Sequence, residues 1–451
     1  MRTILSSLKG IAEVHNMSAS NRFHDAARNI WHKSRVIRPV YWFCYKHIRY
    51  ALHHNPLGKI YFQHQKDVTY DQYFPSFYNA HRDEPVDERK VIFLEPVQPR
   101  ITNNMRLIRD RLERSGKYTI HEHYLRANYA YRRQWKKNCA AFLSDLATAK
   151  YVFLPEASQV LSCVDMRPET IVVQTWHACG AFKRFGFSTA DQLFGADREG
   201  QLRHPYNRNY TYVTVSSPDV VWAYVEAMQL QEHEDIVRPI GVSRTDVFFD
   251  QDRIRKAYQK VYQKFPAARG RKIILYAPTF RGHTNEAEAP DKLDVRAFHK
   301  ALGEDYVMII KHHQLVRELP KLPEDLTGSF VYDGSRSLDI NDLLMVSDLC
   351  ISDYSSLIFE YSLMERPMLF FAYDLEDYFD WRGFYYNYDE MTPGPVCRTN
   401  EDMIDYIQHI DERFDRQAVK DFRYRFMRSC DGHSTDRIMK LVFGDTMAGE
   451  R

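Results

Sequence analysis

The 451-residue chain has almost no net charge: 62 Lys and Arg stand against 60 Asp and Glu, a formal +2. That excludes a protein drawn to nucleic acid by bulk charge, so any electrostatic targeting is local. Patterned cysteine is missing too. Seven cysteines (Cys44, Cys139, Cys163, Cys179, Cys350, Cys397 and Cys430) are scattered without a C-x-x-C spacing. They predict neither a disulfide framework nor a zinc site and imply a reducing, cytosolic setting. No window approaches the roughly 18 uncharged apolar residues that a membrane-spanning helix needs. The start, MRTILSSLKGIAEVHNMSAS, is too broken by polar residues for a signal peptide. There is no internal repeat and no low-complexity segment.

What is present is enough apolar surface for more than one core. With 44% hydrophobic and 14% aromatic residues, and roughly 100 to 200 residues per domain, two or three domains are expected. One local charge imbalance stands out, at residues 22–61. Eight Lys or Arg there face the single acid Asp25, interleaved with Trp31, Tyr41, Trp42, Phe43, Tyr45 and Tyr50. Cations for anionic headgroups and rings for the acyl boundary predict an interfacial helix pair broken at Pro39, within a basic aromatic segment spanning 1–85. A helical hairpin packed on the protein, with a solvated basic face, is the plainer alternative.

From about residue 90 the pattern becomes strand, helix, strand. KVIFLEPV, YTIHEHYL, KYVFLPEA, TIVVQTW and YTYVTVSS read as strands, and ITNNMRLIRDRLERSG and RRQWKKNCAAFLSDLATA as helices, the first ending at Gly116. A second series holds KIILYAPTF, YVMIIKHH, SDLCISDYSS and PMLFFAYD. Short apolar strands alternating with helices predict parallel sheets covered on both faces. The polar stretch over residues 236–272 reads as a linker. The expected architecture is therefore α/β: two Rossmann-like, doubly wound lobes, 86–243 and 244–451, with a cleft between them.

In such lobes ligands bind beyond the carboxyl ends of strands. The first lobe then offers His177 with Lys183 and Arg184, and Ser216 with Ser217. The second offers Pro278, Thr279 and Arg281, then Lys311, His312 and His313, then Asp353, Ser355 and Ser356; the linker adds Arg244 and Asp246. Cations, hydroxyls and imidazoles with few acids suit a phosphorylated ligand. Each residue has a structural alternative. A lone histidine is often a satisfied core residue, and a serine after a strand is often only a helix cap, although a helix N-terminus also favours phosphate. Adjacent His312 and His313 must point to opposite sides of the strand, so one faces the cleft and the other packs behind. That adjacency, without a nearby carboxylate or cysteine, disfavours a metal site.

Six stretches in order, TWHACGAFKRFG, PIGVSRTDVFF, ILYAPTFRG, IIKHHQ, DINDLLMVSDLCISDYSSLIFEYSLMERPMLFFAYDLEDY and RGFYYNYDEMTPGPV, resemble the CDP-glycerol glycerophosphotransferase family of teichoic acid synthesis over roughly residues 90–430. The resemblance implies a GT-B fold, a peripheral place on the cytoplasmic face of the cell membrane, CDP-glycerol as donor and a lipid-linked (polyprenyl diphosphate) saccharide as acceptor. WHACGAFK, where polymerases of the family often carry WHGTP, leans toward a primase-like member. Gln314 stands where the family often has proline.

On that resemblance an acceptor hydroxyl attacks the glycerol-bearing phosphorus and expels CMP. His177 is then the general base, a task suited to imidazole. His313 is the second essential histidine, orienting or neutralising the phosphates. Ser355 and Ser356 meet the pyrophosphate, supplemented by Arg244, Lys311 and Arg281. Pro278 and Thr279 line the nucleotide side, Glu360 accepts from a sugar or cytosine donor, and Lys183 contacts an acceptor phosphate. No metal and no cofactor are expected, nucleic acid is not an expected partner, and homo-oligomer formation stays open. The alternatives are a CDP-ribitol ribitolphosphotransferase, a glycerophosphate polymerase, a GT-B enzyme using a nucleotide-sugar, and a membrane-surface scaffold without activity.

Overall fold

The structure, a computed structural model, describes residues 55–126, 132–190, 192, 195, 197–282 and 286–447. The chain divides into two compact units, 1–72 and 73–451. The helix α1 (Pro56–Asp67) is followed by a π-helical turn at Val68–Tyr73, where the Thr69 hydroxyl donates to the Gln65 carbonyl at 2.7 Å. Most of the basic aromatic segment, residues 22–54 with the break expected at Pro39, lies outside the described residues. Among the described residues no helix is long and apolar enough to cross a membrane.

The second unit contains two six-stranded sheets, and every strand pair in them is parallel. The first sheet consists of β1 (Asp87–Glu95), β2 (Thr119–Tyr124), β3 (Ala149–Leu154), β4 (Ile171–Gln174), β5 (Tyr212–Thr214) and β6 (Val237–Arg238), in the order β2-β1-β3-β4-β5-β6. The second consists of β7 (Lys272–Tyr276), β8 (Tyr306–Ile310), β9 (Val331–Asp333), β10 (Leu349–Ser352), β11 (Met368–Phe371) and β12 (Val396–Cys397), in the order β12-β11-β10-β7-β8-β9. Strand order therefore reverses beside β1, where β3 joins, and beside β7, where β10 joins. These are the switch points at which crossover helices diverge and leave a crevice.

The strands are buried for the reason their apolar runs predicted: residues 91–95 of β1 are all buried, as in a sheet covered on both faces. The helix α2 (Asn103–Ser115) ends on Gly116 at φ 63°, a left-handed cap that glycine adopts without a Cβ penalty. On one face of the first sheet Met105, Ile108 and Leu112 of α2 pack with Val91, Phe93 and Phe153. The second sheet buries Tyr276, Met308 and Ile310 against Val295, Phe298 and Leu302 of an amphipathic helix, Val295–Leu302.

Two boundaries differ from expectation. The stretch 236–272 is not a bare linker: it supplies β6 and a helix, Gln251–Lys264, that packs on the helix Ile340–Val346. Its polar surface is the solvent side of an amphipathic helix whose Ala257 and Val261 are buried. The C-terminal helix, Ser434–Phe443, does not stay with the second sheet. Its Ile438, Met439, Val442 and Phe443 join the core of the first, with Phe443 4.6 Å from the Tyr151 ring.

Candidate functional site

At the end of β4 the chain turns sharply. Trp176 has φ 54°, a left-handed conformation disfavoured by any residue with a Cβ. The buried Gln174 amide fixes this turn: its Oε1 accepts from the Trp176 N–H at 2.9 Å, and its Nε2 donates to the Glu156 carbonyl at 3.2 Å and to the Tyr210 hydroxyl oxygen at 3.1 Å. His177 follows, its side chain 41% exposed, with Nδ1 3.3 Å from the Pro155 carbonyl and 3.2 Å from Glu156 Oε2. Burial lowers its pKa, but the Glu156 carboxylate and the Pro155 carbonyl outweigh burial and the nearby Arg244 charge, and the net shift is upward.

The loop then packs on the second sheet's elements. Gly180, at φ 62°, lies so close to the Phe359 ring that a Cβ would meet it at 2.4 Å. Phe182 stacks on Tyr388 at 5.6 Å, the Phe182 carbonyl accepts from the Tyr385 N–H at 2.9 Å, and Lys183 bridges to Phe384. The His177 loop is thus held by both halves of the unit.

From the second sheet, His312 and His313 diverge as the strand period requires. His312 is buried, and it lines a cavity of about 390 Å³ with Tyr276, Leu293, Ile310 and Leu322. His313 is exposed, its ring 5.1 Å from Phe280, and its Nδ1 accepts from the Leu315 N–H at 3.2 Å. The neutral ring therefore carries its proton on Nε2. Loss of hydration by the charged form, then the charges of Lys183, His177 and Lys311, push the His313 pKa down to about 4. The structure thus draws His177, Lys183, His313 and Lys311 from two sheets into one electrostatic neighbourhood.

Several expected phosphate ligands are occupied by the protein itself. Arg281 forms a two-pronged pair with Asp374 at 2.7 and 2.9 Å, contacts Asp353 at 3.0 Å and lies over the Tyr354 ring. Its charge is matched by two carboxylates, so it braces the loop instead of waiting for a ligand. Lys311 Nζ donates to the carbonyls of Gly334, Ser335 and Leu338 at 3.2, 2.7 and 2.6 Å, which uses its three protons. Arg244 pairs with buried Glu360, so neither is an open phosphate or sugar contact. Ser216 links the Gly180 N–H to the Phe426 carbonyl, Ser217 donates to the Arg425 carbonyl, and Asp246 accepts from the Ser434 and Thr435 N–H groups. One-dimensional reading placed these residues near the site but was blind to the partners the fold brings.

Pro278 and Thr279 lie at the β7 switch point, where the Thr279 N–H donates to Asp353 Oδ1 at 2.7 Å and its buried hydroxyl has no partner among the described residues. Ser355 and Ser356 are half-buried at the start of the helix Leu357–Ser362, and the Ser356 side chain makes no capping bond there. Sequence reasoning missed Glu95 and Glu156. Both follow apolar strands in glutamate–proline or proline–glutamate pairs, the same strand-end signal that picked out His177. Glu95 is fully buried, accepts from the Thr102 N–H at 2.7 Å, and burial pushes its pKa up to about 7.

Fold and site together define a class: an α/β protein of two parallel sheets whose strand-end loops carry imidazoles, hydroxyls and a lysine. The chain belongs to the CDP-Glycerol:Poly(glycerophosphate) glycerophosphotransferase family, which it matches over residues 76–444, and it is a phosphotransferase enzyme. It is 34% identical over 363 residues to the teichoic acid ribitol-phosphate primase of Bacillus spizizenii strain W23, covering 79% of this chain and 92% of that protein. The teichoic acid glycerol-phosphate primase of the same strain is 32% identical over 285 residues, 62% of this chain and 72% of its own. The fold is similar to that of the wall teichoic acid polymerase TagF, with a TM-score of 0.69 at 21% identity, covering 85% of this chain and 96% of that one.

Proposed function

We propose that the chain transfers glycerol phosphate from CDP-glycerol to a hydroxyl of a lipid-linked saccharide in teichoic acid synthesis, as a primase-like member with GT-B-type lobes. The observation that carries this reading is the seating of the loop bearing His177 and Lys183 on Phe359, Phe384 and Tyr385 of the second sheet's elements, with the electrostatic influence of His177 and Lys183 on His313 in support. The acceptor hydroxyl attacks the glycerol-bearing phosphorus, His177 takes its proton, and CMP departs with the electron pair. His313 acts as a neutral Nε2–H donor to a phosphate oxygen. Of the two roles the resemblance implies, orienting or neutralising the phosphates, its low pKa favours the orienting one. Lys183 supplies the positive charge near the acceptor, while Thr279, Ser355 and Ser356 hydroxyls meet the donor. The first lobe takes the acceptor and the second the donor.

A second reading, ribitol phosphate from CDP-ribitol, is favoured by the relative matched over 92% of its length, a ribitol-phosphate primase. One experiment separates them: incubation with CDP-glycerol, CDP-ribitol or a UDP-sugar, against lipid-linked acceptors with and without a first polyol phosphate, read by product mass. Transfer from CDP-glycerol to the unprimed lipid supports the first reading; product only from CDP-ribitol replaces it. Placement on the cytoplasmic membrane surface through residues 22–61 belongs to the same proposal, supported by their composition.

A further inference from the structure

We infer that Glu156 is a positioning residue for His177: with the Pro155 carbonyl it holds the imidazole proton on Nδ1 and leaves the Nε2 lone pair as the base. The inference rests on the reading of His177 as the base and adds to it the group that sets the ring's tautomer. Both neighbours of Nδ1, the Pro155 carbonyl at 3.3 Å and the Glu156 carboxylate at 3.2 Å, are acceptors. A nitrogen facing two acceptors must be the donor, so the neutral ring has its lone pair on Nε2.

The placement is built into the fold. β1, β3 and β4 are consecutive in the first sheet, and their carboxyl ends carry Glu95, Glu156 and His177. Between β1 and β3 the strand order reverses, which opens the crevice there. Gln174 ties the backbone on both sides of the pair, holding the Trp176 N–H and the Glu156 carbonyl with one amide. The left-handed turn at Trp176 aims the ring toward Pro155. Two histidines of opposite polarity result: His177 presents a lone pair on Nε2 and His313 presents Nε2–H, because its Nδ1 accepts from Leu315.

In the transfer step the acceptor oxygen bonds to phosphorus, the bond from that phosphorus to the CMP phosphate oxygen breaks, and CMP keeps the electron pair. The hydroxyl proton passes to His177 Nε2. The imidazolium that forms is stabilised by the Glu156 anion and then returns its proton to water. Arg244 opposes the imidazolium, while His313, held neutral by its own low pKa, faces the same neighbourhood without a charge. Glu95 stands behind Glu156, and its pKa of about 7 keeps much of it protonated at neutral pH. Glu156, with the Pro155 carbonyl, therefore outweighs burial and the Arg244 charge in raising the His177 pKa.

The test compares full-length Glu156→Gln and His177→Asn with the unaltered protein, using CDP-glycerol or CDP-ribitol, whichever is turned over, and lipid-linked acceptor. Glu156→Gln removes the anion and keeps the volume. The expected result is kcat lower by about 10-fold or more, up to the roughly 10⁴-fold loss seen when the carboxylate that sets a base histidine's tautomer becomes an amide, with donor KM nearly unchanged. The acid limb of the kcat–pH profile moves to lower pH, because a ring without Glu156 holds its proton less tightly. An unchanged kcat and acid limb in Glu156→Gln, with His177→Asn inactive, overturns the inference while sparing the base assignment. Full turnover in His177→Asn overturns the base assignment itself. Should Glu156→Gln fail to fold, imidazole nitrogen-15 shifts of the unaltered chain, assigned by difference from His177→Asn, decide the matter. A neutral His177 with its proton on Nε2 refutes the inference, and one with its proton on Nδ1 supports it.

Discussion

Arg281 separates a structural from a ligand-binding reading of the second sheet's loops. Its guanidinium makes two bonds to Asp374 and one to Asp353, while the Tyr354 hydroxyl donates to the same Asp374 at 2.8 Å. Replacing Arg281 by Gln leaves two carboxylates without their cation. Removing one partner of a buried ion pair costs about 3–5 kcal/mol. Here the Arg281 and Asp374 side chains are 22% and 19% exposed while Asp353 is 3% exposed, so water screens part of the loss. With partial retention of hydrogen bonds by Gln, about 2–3 kcal/mol of destabilisation is expected. Urea unfolding of the full chain reads this as a lower midpoint at unchanged slope. CDP-glycerol affinity, measured by calorimetry well below the midpoint, should change by less than about threefold. Had Arg281 instead bound the donor phosphates, the loss of a charged hydrogen bond worth about 1.5–3 kcal/mol would weaken binding roughly 10- to 100-fold. An unchanged unfolding midpoint together with such a loss of affinity would refute the structural assignment.

Other outcomes follow from the same contacts. Gly180→Ala forces a Cβ onto the Phe359 ring at a positive φ, so stability should fall by about 2 kcal/mol or more and turnover should fall with it; a variant as active and as stable as the parent would show that the His177 loop is not pinned there. Asp145 accepts from Lys90, His121 and His123 at 2.7 to 2.9 Å, and these partners hold its carboxyl well below the usual range despite burial. Its folded pKa is depressed, so its contribution is present above the unfolded value of about 3.9 and lost as pH falls toward the folded one. Asp145→Asn should accordingly cost about 1–3 kcal/mol at pH 7 and progressively less below pH 4, as followed by thermal unfolding across pH; a pH-independent gap would exclude the charge as the cause. The double substitution of Ser355 and Ser356 by Ala should weaken CDP and CDP-glycerol binding far more than cytidine binding, and equal weakening of all three would misplace the pyrophosphate. Changing Lys33, Arg35, Arg38, Lys46 and Arg49 to Gln should release the protein from anionic vesicles, each cation contributing on the order of 1 kcal/mol there; retention at both low and high salt would put the anchor elsewhere.

The strands were legible because a parallel strand covered on both faces must be apolar along its whole length, and the end of α2 was legible from the glycine at Gly116 that closes its apolar spacing. His177 and the pair His312 and His313 stood out because polar residues at the ends of such strands have no packing reason to be there, and only the family resemblance chose His313 from the pair. Glu95 and Glu156 sit at equivalent strand ends and went unread, since an acid beside an expected phosphate looked out of place. The helix Gln251–Lys264 was taken for a linker because half of its surface is solvent-facing and charged, which in one dimension resembles a loop.

By itself, the sequence determined the α/β class, the alternation of strands and helices, and which strand ends carry polar and titratable groups, because these depend on local periodicity and on side-chain type at a known point of the repeat. The tertiary structure alone decided which of those groups are available. Arg281, Lys311, Arg244 and Glu360 lie on the expected loops, yet partners 23 to 116 positions away consume their charges or protons. It also sent the last helix back to the first sheet and set Glu156 against His177. Such pairings depend on strand order and on crossover connections, and neither is encoded in the residues adjacent to the groups they join.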